Sequence, residues 1–494
     1  MHRTVRWIIQ LLFLALFISF FSLTKYGQPF GIQNLFFRLD PLILIVISIA
    51  YRTLIVAALL SVIVIIGTVL GGRFFCGYVC PLGTVLDMCH RAAAVQKRTD
   101  TVFRNGKYAI LLFLIISALI GSSFLHFFDP LVILERSLTL LMFPVVSYFA
   151  AFVTLVSPAV FTETSLALLT LLVILTLSVI FPRFWCRSLC PLGGFLAFLS
   201  RFSLFRFFFE DGCSECGICT SVCPTSAINY ETQTIDSTEC ISCLRCYYEC
   251  PQQTITYAPH FSIAKTDFQR RHVASAFLAS IIAVPLVRSL LHTRLNGRLI
   301  RPPGAIPEPD FINVCIHCGK CMKVCPTNGL QPCVFEAGIN GLWTPRLVPK
   351  IGGCEKNCNM CGHVCPTSAI RKLDLEEKTY AKVGTAVIDR SRCIAWEQDK
   401  VCLICDEACP YNAISSLNET VHDVTLLRPF VDERICTGCG LCEARCPIEG
   451  PAAIEVYSIG EERKRTGSYI TEEKVQLRAC EEKEEDIPSG FILE

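Results

Sequence analysis

The residues with the clearest chemistry are cysteines, and their spacing says what that chemistry is. Between Cys213 and Pro251 the chain reads CSECGICTSVCP and then CISCLRCYYECP, two runs of the form C-x2-C-x2-C-x3-C-P. Three closely spaced thiolates cap three irons of one [4Fe–4S] cubane, and the fourth Cys, carried away by the following Pro, reaches the neighbouring cluster. The spacing therefore predicts one cluster on Cys213, Cys216, Cys219 and Cys250, and a second on Cys240, Cys243, Cys246 and Cys223.

Four more runs follow, each ending in Cys-Pro: Cys315, Cys318, Cys321, Cys325; Cys354, Cys358, Cys361, Cys365; Cys393, Cys402, Cys405, Cys409; and Cys436, Cys439, Cys442, Cys446. The first gap is one residue longer in the second of these and widened to eight residues in the third. Six runs hold 24 of the 31 cysteines and call for six [4Fe–4S] clusters. A disulfide framework has no reason to repeat this spacing, and zinc ribbons use two separated C-x2-C pairs. Because both wider gaps fall in the middle runs, those two runs are expected to pair with each other, nested between the outer two. The small and apolar pairs Ala227-Ile228, Ala369-Ile370, Ala413-Ile414 and Ala453-Ile454 are expected to cover cluster faces, with backbone N–H groups on the sulfurs. Cys89, Cys333 and Cys480 are left over as plain thiols.

The elements that position these runs begin in a membrane. The chain has 494 residues, is 52% hydrophobic and carries a net charge of +2, which gives no case for nucleic acid as a partner. Apolar runs at Ile8–Leu23, Leu54–Leu70, Ala109–Leu125 and Ser165–Phe181 are read as four spans, with 41–51 and 137–161 as re-entrant or interfacial pieces. Basic residues crowd 73–107 and the segment after 182, whereas 126–164 holds only Arg136, so the positive-inside rule places the N-terminus and both basic segments in the cytoplasm. The two halves repeat. Arg73-Phe-Phe-Cys76-x3-Cys80-Pro-Leu-Gly83 matches Arg183-Phe-Trp-Cys186-x3-Cys190-Pro-Leu-Gly193, and Asp40-Pro-Leu matches Asp129-Pro-Leu. Cys76, Cys80, Cys186 and Cys190 thus become candidates for a further metal or cluster or for redox thiols at the membrane edge; the plainer reading is that each Cys-Pro only ends a helix. Asp40, Asp129 and the nearby His126 are candidate acceptors of quinol protons. The plainer reading of each Asp is a solvated helix end.

The expected fold is multi-domain: an α-helical transmembrane domain plus α+β ferredoxin-like [4Fe–4S] domains. Residues 1–205 form the four-helix membrane domain with its internal repeat, and 206–260 a two-cluster domain. A linker at 261–300 holds Gln269-Arg270-Arg271-His272, a partial twin-arginine export signal, ahead of an apolar segment. Residues 301–460 form a four-cluster domain, and 461–494 a charged tail expected to be solvated or disordered.

On the paired Arg-Phe-[Phe/Trp]-Cys-x3-Cys-Pro-Leu-Gly phrases and the two runs after them, residues 1–260 resemble NapH-type membrane ferredoxins. The same membrane phrase occurs in NosR-type regulators and in cytochrome oxidase assembly ferredoxins. Residues 300–457 resemble the NapG/MauM family, through Arg301-Pro-Pro-Gly-Ala305, Pro307-Glu308, Cys315-x2-Cys318-Gly-Lys-Cys321, Gly384-Thr-Ala-Val-Ile-Asp389 and the order of the four Cys runs. The whole looks like a fusion of the two. The resemblance implies a multi-pass protein of a prokaryotic cytoplasmic membrane, its first ferredoxin domain cytoplasmic and its C-terminal domain extracytoplasmic. It would carry electrons from the quinone pool to a partner reductase or electron carrier. No nucleophile, carboxylate pair or nicotinamide fingerprint accompanies the clusters, so no substrate chemistry is expected beyond electron transfer and quinol oxidation. A redox-dependent assembly or regulatory factor for a metalloenzyme is the alternative.

Overall fold

The computed structural model describes residues 2–25, 31–53, 59–93, 104–154, 158–259, 275, 277–285, 297–421 and 424–477. Arg270, Arg271 and Cys480 lie outside these. The chain divides into two compact units: Met1–Pro158 with Glu163–His292 and Asn313–Cys318, and Ala159–Thr162 with Thr293–Ile312 and Gly319–Glu494.

The first unit opens with helix α1 (His2–Leu23), then α2 (Pro41–Tyr51), α3 (Ser61–Gly71), α4 (Pro81–Ala93) and α5 (Gly106–Leu119). Helices α6 (Pro130–Ser137) and α7 (Phe143–Thr154) follow, and then α8 (Ser165–Ile180) and α9 (Pro191–Ser200). Their polarity is inverted relative to a water-soluble bundle. α1 buries Arg6 and Gln10 and exposes Leu12 (65%), and α7 exposes Phe149 and Phe152 (72%). Apolar side chains outside and polar ones inside suit lipid as solvent.

Among the described residues, two helices are long and apolar enough to cross a membrane, Thr4–Leu23 and Pro130–Phe152. A third is reached if the bent pair Ile32–Arg38 and Pro41–Tyr51 is one span. Pro130–Phe152 overlaps the stretch 137–161 read as a re-entrant or interfacial piece, and it is long enough for a span. A π-turn at Leu138–Met142 joins α6 to α7, and this wider turn takes Pro144, which has no N–H to give, without ending the helix. Among the described residues, the expected spans at 54–70, 109–125 and 165–181 contain the shorter helices Ser61–Gly71, Gly106–Leu119 and Ser165–Ile180, with 54–58 outside the description.

The repeat is visible in the backbone. Asp40 and Asp129 each cap a helix that starts with Pro: Asp40 Oδ1 accepts from the amides of Leu42 (2.8 Å) and Ile43 (3.4 Å), and Asp129 Oδ1 from those of Leu131 and Val132 (both 3.0 Å). At the other end, π-turns at Phe75–Val79 and Trp185–Leu189 lead into Cys80-Pro and Cys190-Pro, which open α4 and α9. Each of these helices packs on an apolar helix of the opposite half, α4 on α8 and α9 on α3. The halves are interlocked rather than side by side.

The same unit carries a small α+β domain. Strand β1 (Phe205–Phe209) pairs antiparallel with β4 (Ile255–Pro259), joining the ends of the segment, with Phe207 opposite Tyr257. Between them lie α10 (Ile218–Val222), the hairpin of β2 (Ile228–Asn229) and β3 (Thr234–Ile235), and α11 (Arg245–Glu249). Its core is Phe207, Ile228 and Ile255 together with Cys219 and Cys246. So little apolar surface does not hold a fold by itself, and a bound group must add to it.

The second unit repeats that plan with helices of one turn, α12 (Lys320–Lys323), α13 (Met360–Val364), α14 (Ile404–Glu407) and α15 (Leu441–Arg445). Its two-stranded sheets are β5 (Leu330–Pro332) with β6 (Pro345–Leu347), β7 (Thr385–Ile388) with β10 (Ile454–Tyr457), and β8 (Ile414–Val421) with β9 (Val424–Val431). The Arg301-Pro-Pro-Gly phrase is structural. Arg301 is buried and forks onto Glu308 (3.0 and 2.5 Å), with further bonds to Thr344 Oγ1 (2.9 Å) and the Pro345 carbonyl (2.7 Å). The charged tail is ordered over its first part, contrary to expectation. Tyr469 is fully buried beside Leu373 and Ala381, and Arg463 and Arg465 pair with Glu308 and Asp310. One aromatic anchor and two ion pairs outweigh the solvation of the charges around them.

Candidate iron–sulfur and membrane-edge sites

In the small domain of the first unit, each Cys run turns into a one-turn helix and leaves it at Cys-Pro. Gly217 and Leu244 take positive φ ahead of α10 and α11, a tight entry that brings three thiols of each run together. Cys213, Cys216, Cys219 and Cys250 line a cavity of about 330 Å³. Cys223, Cys240, Cys243 and Cys246 line another of about 330 Å³. The fourth Cys of each run thus joins the three of the other.

The second unit does the same three times. Cys325 lines a cavity of about 400 Å³ with Cys354, Cys358 and Cys361. Cys393, Cys402 and Cys405 share one of about 380 Å³ with Cys446, and Cys436, Cys439 and Cys442 share one of about 310 Å³ with Cys409. The order is sequential, first run with second and third with fourth, and the nested pairing is wrong. The widened gap before Cys402 is taken up by a local turn of helix at Ile394–Glu397 and does not change which runs meet.

The donor sets fit a cubane better than a single ion. Among the described residues no three His, Cys, Asp or Glu side chains converge closely enough to hold one metal ion. The sulfurs ring apolar spaces instead. Backbone amides donate to them, Ala227 to Cys223 and Ala413 to Cys409 (both 3.3 Å), and Ala386 to Cys436 and Ala453 to Cys446 (both 3.4 Å). Three of the four expected Ala-Ile pairs line these cavities; Ala369-Ile370 does not line the one on Cys325 and Cys354. Burial pushes the thiols of Cys240, Cys405 and Cys439 up to about 12, so ionised sulfurs here need the positive charge of bound iron.

A 4Fe-4S dicluster domain model matches residues 207–257 and another matches 400–449. A 4Fe-4S binding domain model matches 313–331, and a second such model matches 53–99 and 165–209, the two Cys-x3-Cys-Pro halves. The chain is 36% identical over 197 residues to the methylamine utilization ferredoxin-type protein MauM of Paracoccus denitrificans, covering 82% of that protein and 38% of this one. The chain belongs to the MauM/NapG ferredoxin-type family. The ferredoxin-type protein NapG of Escherichia coli is 32% identical over 192 residues, with 82% of NapG and 37% of this chain covered. MauM of Methylorubrum extorquens is 35% identical over 173 residues, 74% of that protein and 33% of this chain. These are iron–sulfur electron-transfer proteins by name and motif, and the 4Fe-4S matches extend that character to the part of the chain that precedes the MauM/NapG-like region.

The first unit also positions the remaining candidates. Cys76, Cys80, Cys186 and Cys190 lie within electrostatic range of one another, brought together by the two halves. Asp40 and Asp129, the two helix caps, are both fully buried, each with an Oδ2 that has no hydrogen-bond partner, so they are not the solvated helix ends of the plainer reading. His126 is buried, its backbone carbonyl accepting from Arg136 Nη1 (3.0 Å). Its ring stacks on that of His317 at 3.6 Å, a residue of the 313–318 segment that belongs to this unit. His317 sits between Cys315 and Cys318 and was not singled out from sequence, because a lone His inside a Cys run carries no spacing signal.

Proposed function

We propose that the chain is a membrane-bound electron carrier that takes electrons from quinol and passes them through six [4Fe–4S] clusters to a partner reductase. The observation that carries it is the exchange of fourth cysteines in cavity after cavity, which sets clusters in close pairs. The thiols would hold the clusters, and the clusters supply one-electron chemistry when bound. The protein supplies spacing, amides aimed at sulfur, and exclusion of water. Cys315, Cys318, Cys321 and Cys365 are assigned as cluster ligands on the spacing of their runs alone.

Quinol oxidation is assigned to the membrane half, on its likeness to NapH-type proteins and on its inverted polarity. Asp40, Asp129 and His126 are the proton-accepting candidates. A buried carboxyl oxygen without a partner favours the protonated acid, so either Asp can take up a proton as a neighbouring quinol is oxidised. The basic ends of the repeat and the small two-cluster domain are placed on the cytoplasmic side, and residues 301–460 on the other, as the Arg270-Arg271 phrase suggests.

The test is anaerobic. Full-length protein with its clusters is mixed with a reduced menaquinone analogue, and cluster bleaching and EPR are followed. Reduction that is slowed in Asp40→Asn and Asp129→Asn supports the reading. Iron-replete protein that stays oxidised, while dithionite reduces it, contradicts it.

A further inference from the structure

We propose that Arg73 and Glu239 are positioning residues for electron transfer: they seat the two-cluster domain on the helical repeat and set the reduction potential of its nearer cluster, the one on Cys223, Cys240, Cys243 and Cys246. The repeat gives each half one arginine, and each crosses to the other half. Arg183 lies over Gly83, where a Cβ would stand 3.6 Å from its guanidinium, and Arg73 lies over Gly193, where a Cβ would stand 3.2 Å away. One helical turn beyond Gly83, Asp87 accepts from Arg183 Nε at 2.7 Å and Nη2 at 2.8 Å. One turn beyond Gly193 the matching residue is Ala197, whose side chain accepts nothing. Arg73 is as deeply buried as Arg183, and a buried cation is stable only when paired, so its carboxylate has to come from elsewhere.

It comes from the two-cluster domain. Arg73 Nη1 donates to the Thr238 carbonyl at 2.7 Å and stands 3.7 Å from Glu239 Oε2, while Lys107 Nζ donates to Glu239 Oε1 at 2.5 Å. Glu239 is buried as well. It fills, from a different part of the chain, the place that Asp87 fills in the first half, and the next residue is the cluster ligand Cys240. The same loop is held at two more points. Ser242 Oγ donates to the Gly71 carbonyl at 3.0 Å, and the Gly77 backbone lies so close to Ile241 that a Cβ there would collide with its carbonyl. Arg73 is within electrostatic range of the Cys240 sulfur. A fixed cation beside a cluster favours the added electron and a fixed carboxylate opposes it, both strongly where water is excluded. Arg73 and Glu239 therefore act on the same cluster with opposite sign.

The inference rests on the iron–sulfur reading of the eight cysteines from Cys213 to Cys250, and not on quinol. The experiment is an EPR-monitored redox titration of the anaerobically purified full-length protein and its variants, with iron counted in each. At the ambient potential that half-reduces the nearer cluster in the unaltered protein, Arg73→Gln should lower its ratio of reduced to oxidised form about tenfold, and Glu239→Gln should raise it by a similar factor. Arg73→Lys, which keeps the charge, should titrate close to the unaltered protein. The cluster on Cys213, Cys216, Cys219 and Cys250 should move less in every case. Shifts of the same sign in Arg73→Gln and Glu239→Gln, which a merely structural role would give, overturn the proposal. So do equal shifts of both clusters, or none. Should Arg73→Gln fail to keep its clusters, the sign of the Glu239→Gln shift decides. Full iron with unmoved potentials defeats this inference alone, whereas unaltered protein without the roughly eight irons of two cubanes defeats the iron–sulfur reading and this inference with it.

Discussion

Two groups of cysteines in the first unit are built on opposite plans. The eight between Cys213 and Cys250 come from one continuous segment, ring two apolar cavities and make up much of their own domain's core. The four in the Cys-x3-Cys-Pro phrases come from distant halves, held by interlocked helices and surrounded by buried charge. The first group would be made by its clusters; the second is positioned by a fold that exists for other reasons. Where a cofactor supplies the core, removing it removes the domain. Where helices supply the core, removal leaves the scaffold.

The sharpest way to break that comparison is to strip the iron. Chelation of the reduced protein should abolish the near-UV circular dichroism of the cluster domains and leave most of the helical far-UV signal. Loss of both together would mean that the apolar helices also depend on clusters. The next effect is confined to single cavities. Cys409→Ser should shift the EPR signal of the cluster on Cys436, Cys439 and Cys442, and Cys446→Ser that of the cluster on Cys393, Cys402 and Cys405. A shift in any other cluster would refute the sequential exchange.

Buried charge beside the four cysteines of the Cys-x3-Cys-Pro phrases gives a third test. Asp87 accepts from Arg183 Nε (2.7 Å), Arg183 Nη2 (2.8 Å) and Arg6 Nη2 (2.9 Å). Although burial alone would raise it, these two cations hold its carboxyl well below the usual range. The stability it contributes is therefore full above the unfolded carboxylate pKa of about 3.9 and is lost as pH falls below that. Asp87→Asn should cost about 3 kcal/mol at neutral pH in thermal unfolding of the solubilised protein, and about 1 kcal/mol less near pH 3. Equal losses at both would show that shape rather than charge is at stake. The smallest effect belongs to the second unit, where Arg301→Lys keeps the charge but loses the fork on Glu308. About 1–2 kcal/mol of that unit's stability should go, with cluster EPR unchanged.

The comparison also explains what was legible in the sequence. Cys213 to Cys250 could be read because a cubane needs three thiols within one turn, and that constraint is local. The exchange partner of Cys409 or Cys446 could not be read from gap lengths, since a short helix absorbs the insertion before Cys402 without moving the run. The likeness of Asp40 to Asp129 is visible in the sequence as a repeated phrase; that both carboxyls are buried is a consequence of packing. The continuous helix through Pro144 was not legible because charge bias speaks for loops, whereas a π-turn is a backbone adjustment with no residue signature. Tyr469 was hidden by the charged residues around it, which set the composition of the tail but not its anchor.

The central claim is that the clusters stand in exchanged pairs close enough to relay electrons, and EPR of the fully reduced full-length protein tests it most directly. Paired cubanes couple magnetically, so the account predicts broad, split spectra that simplify when Cys250→Ser or Cys223→Ser removes one member of a pair. Sharp, independent signals that sum without interaction would contradict it.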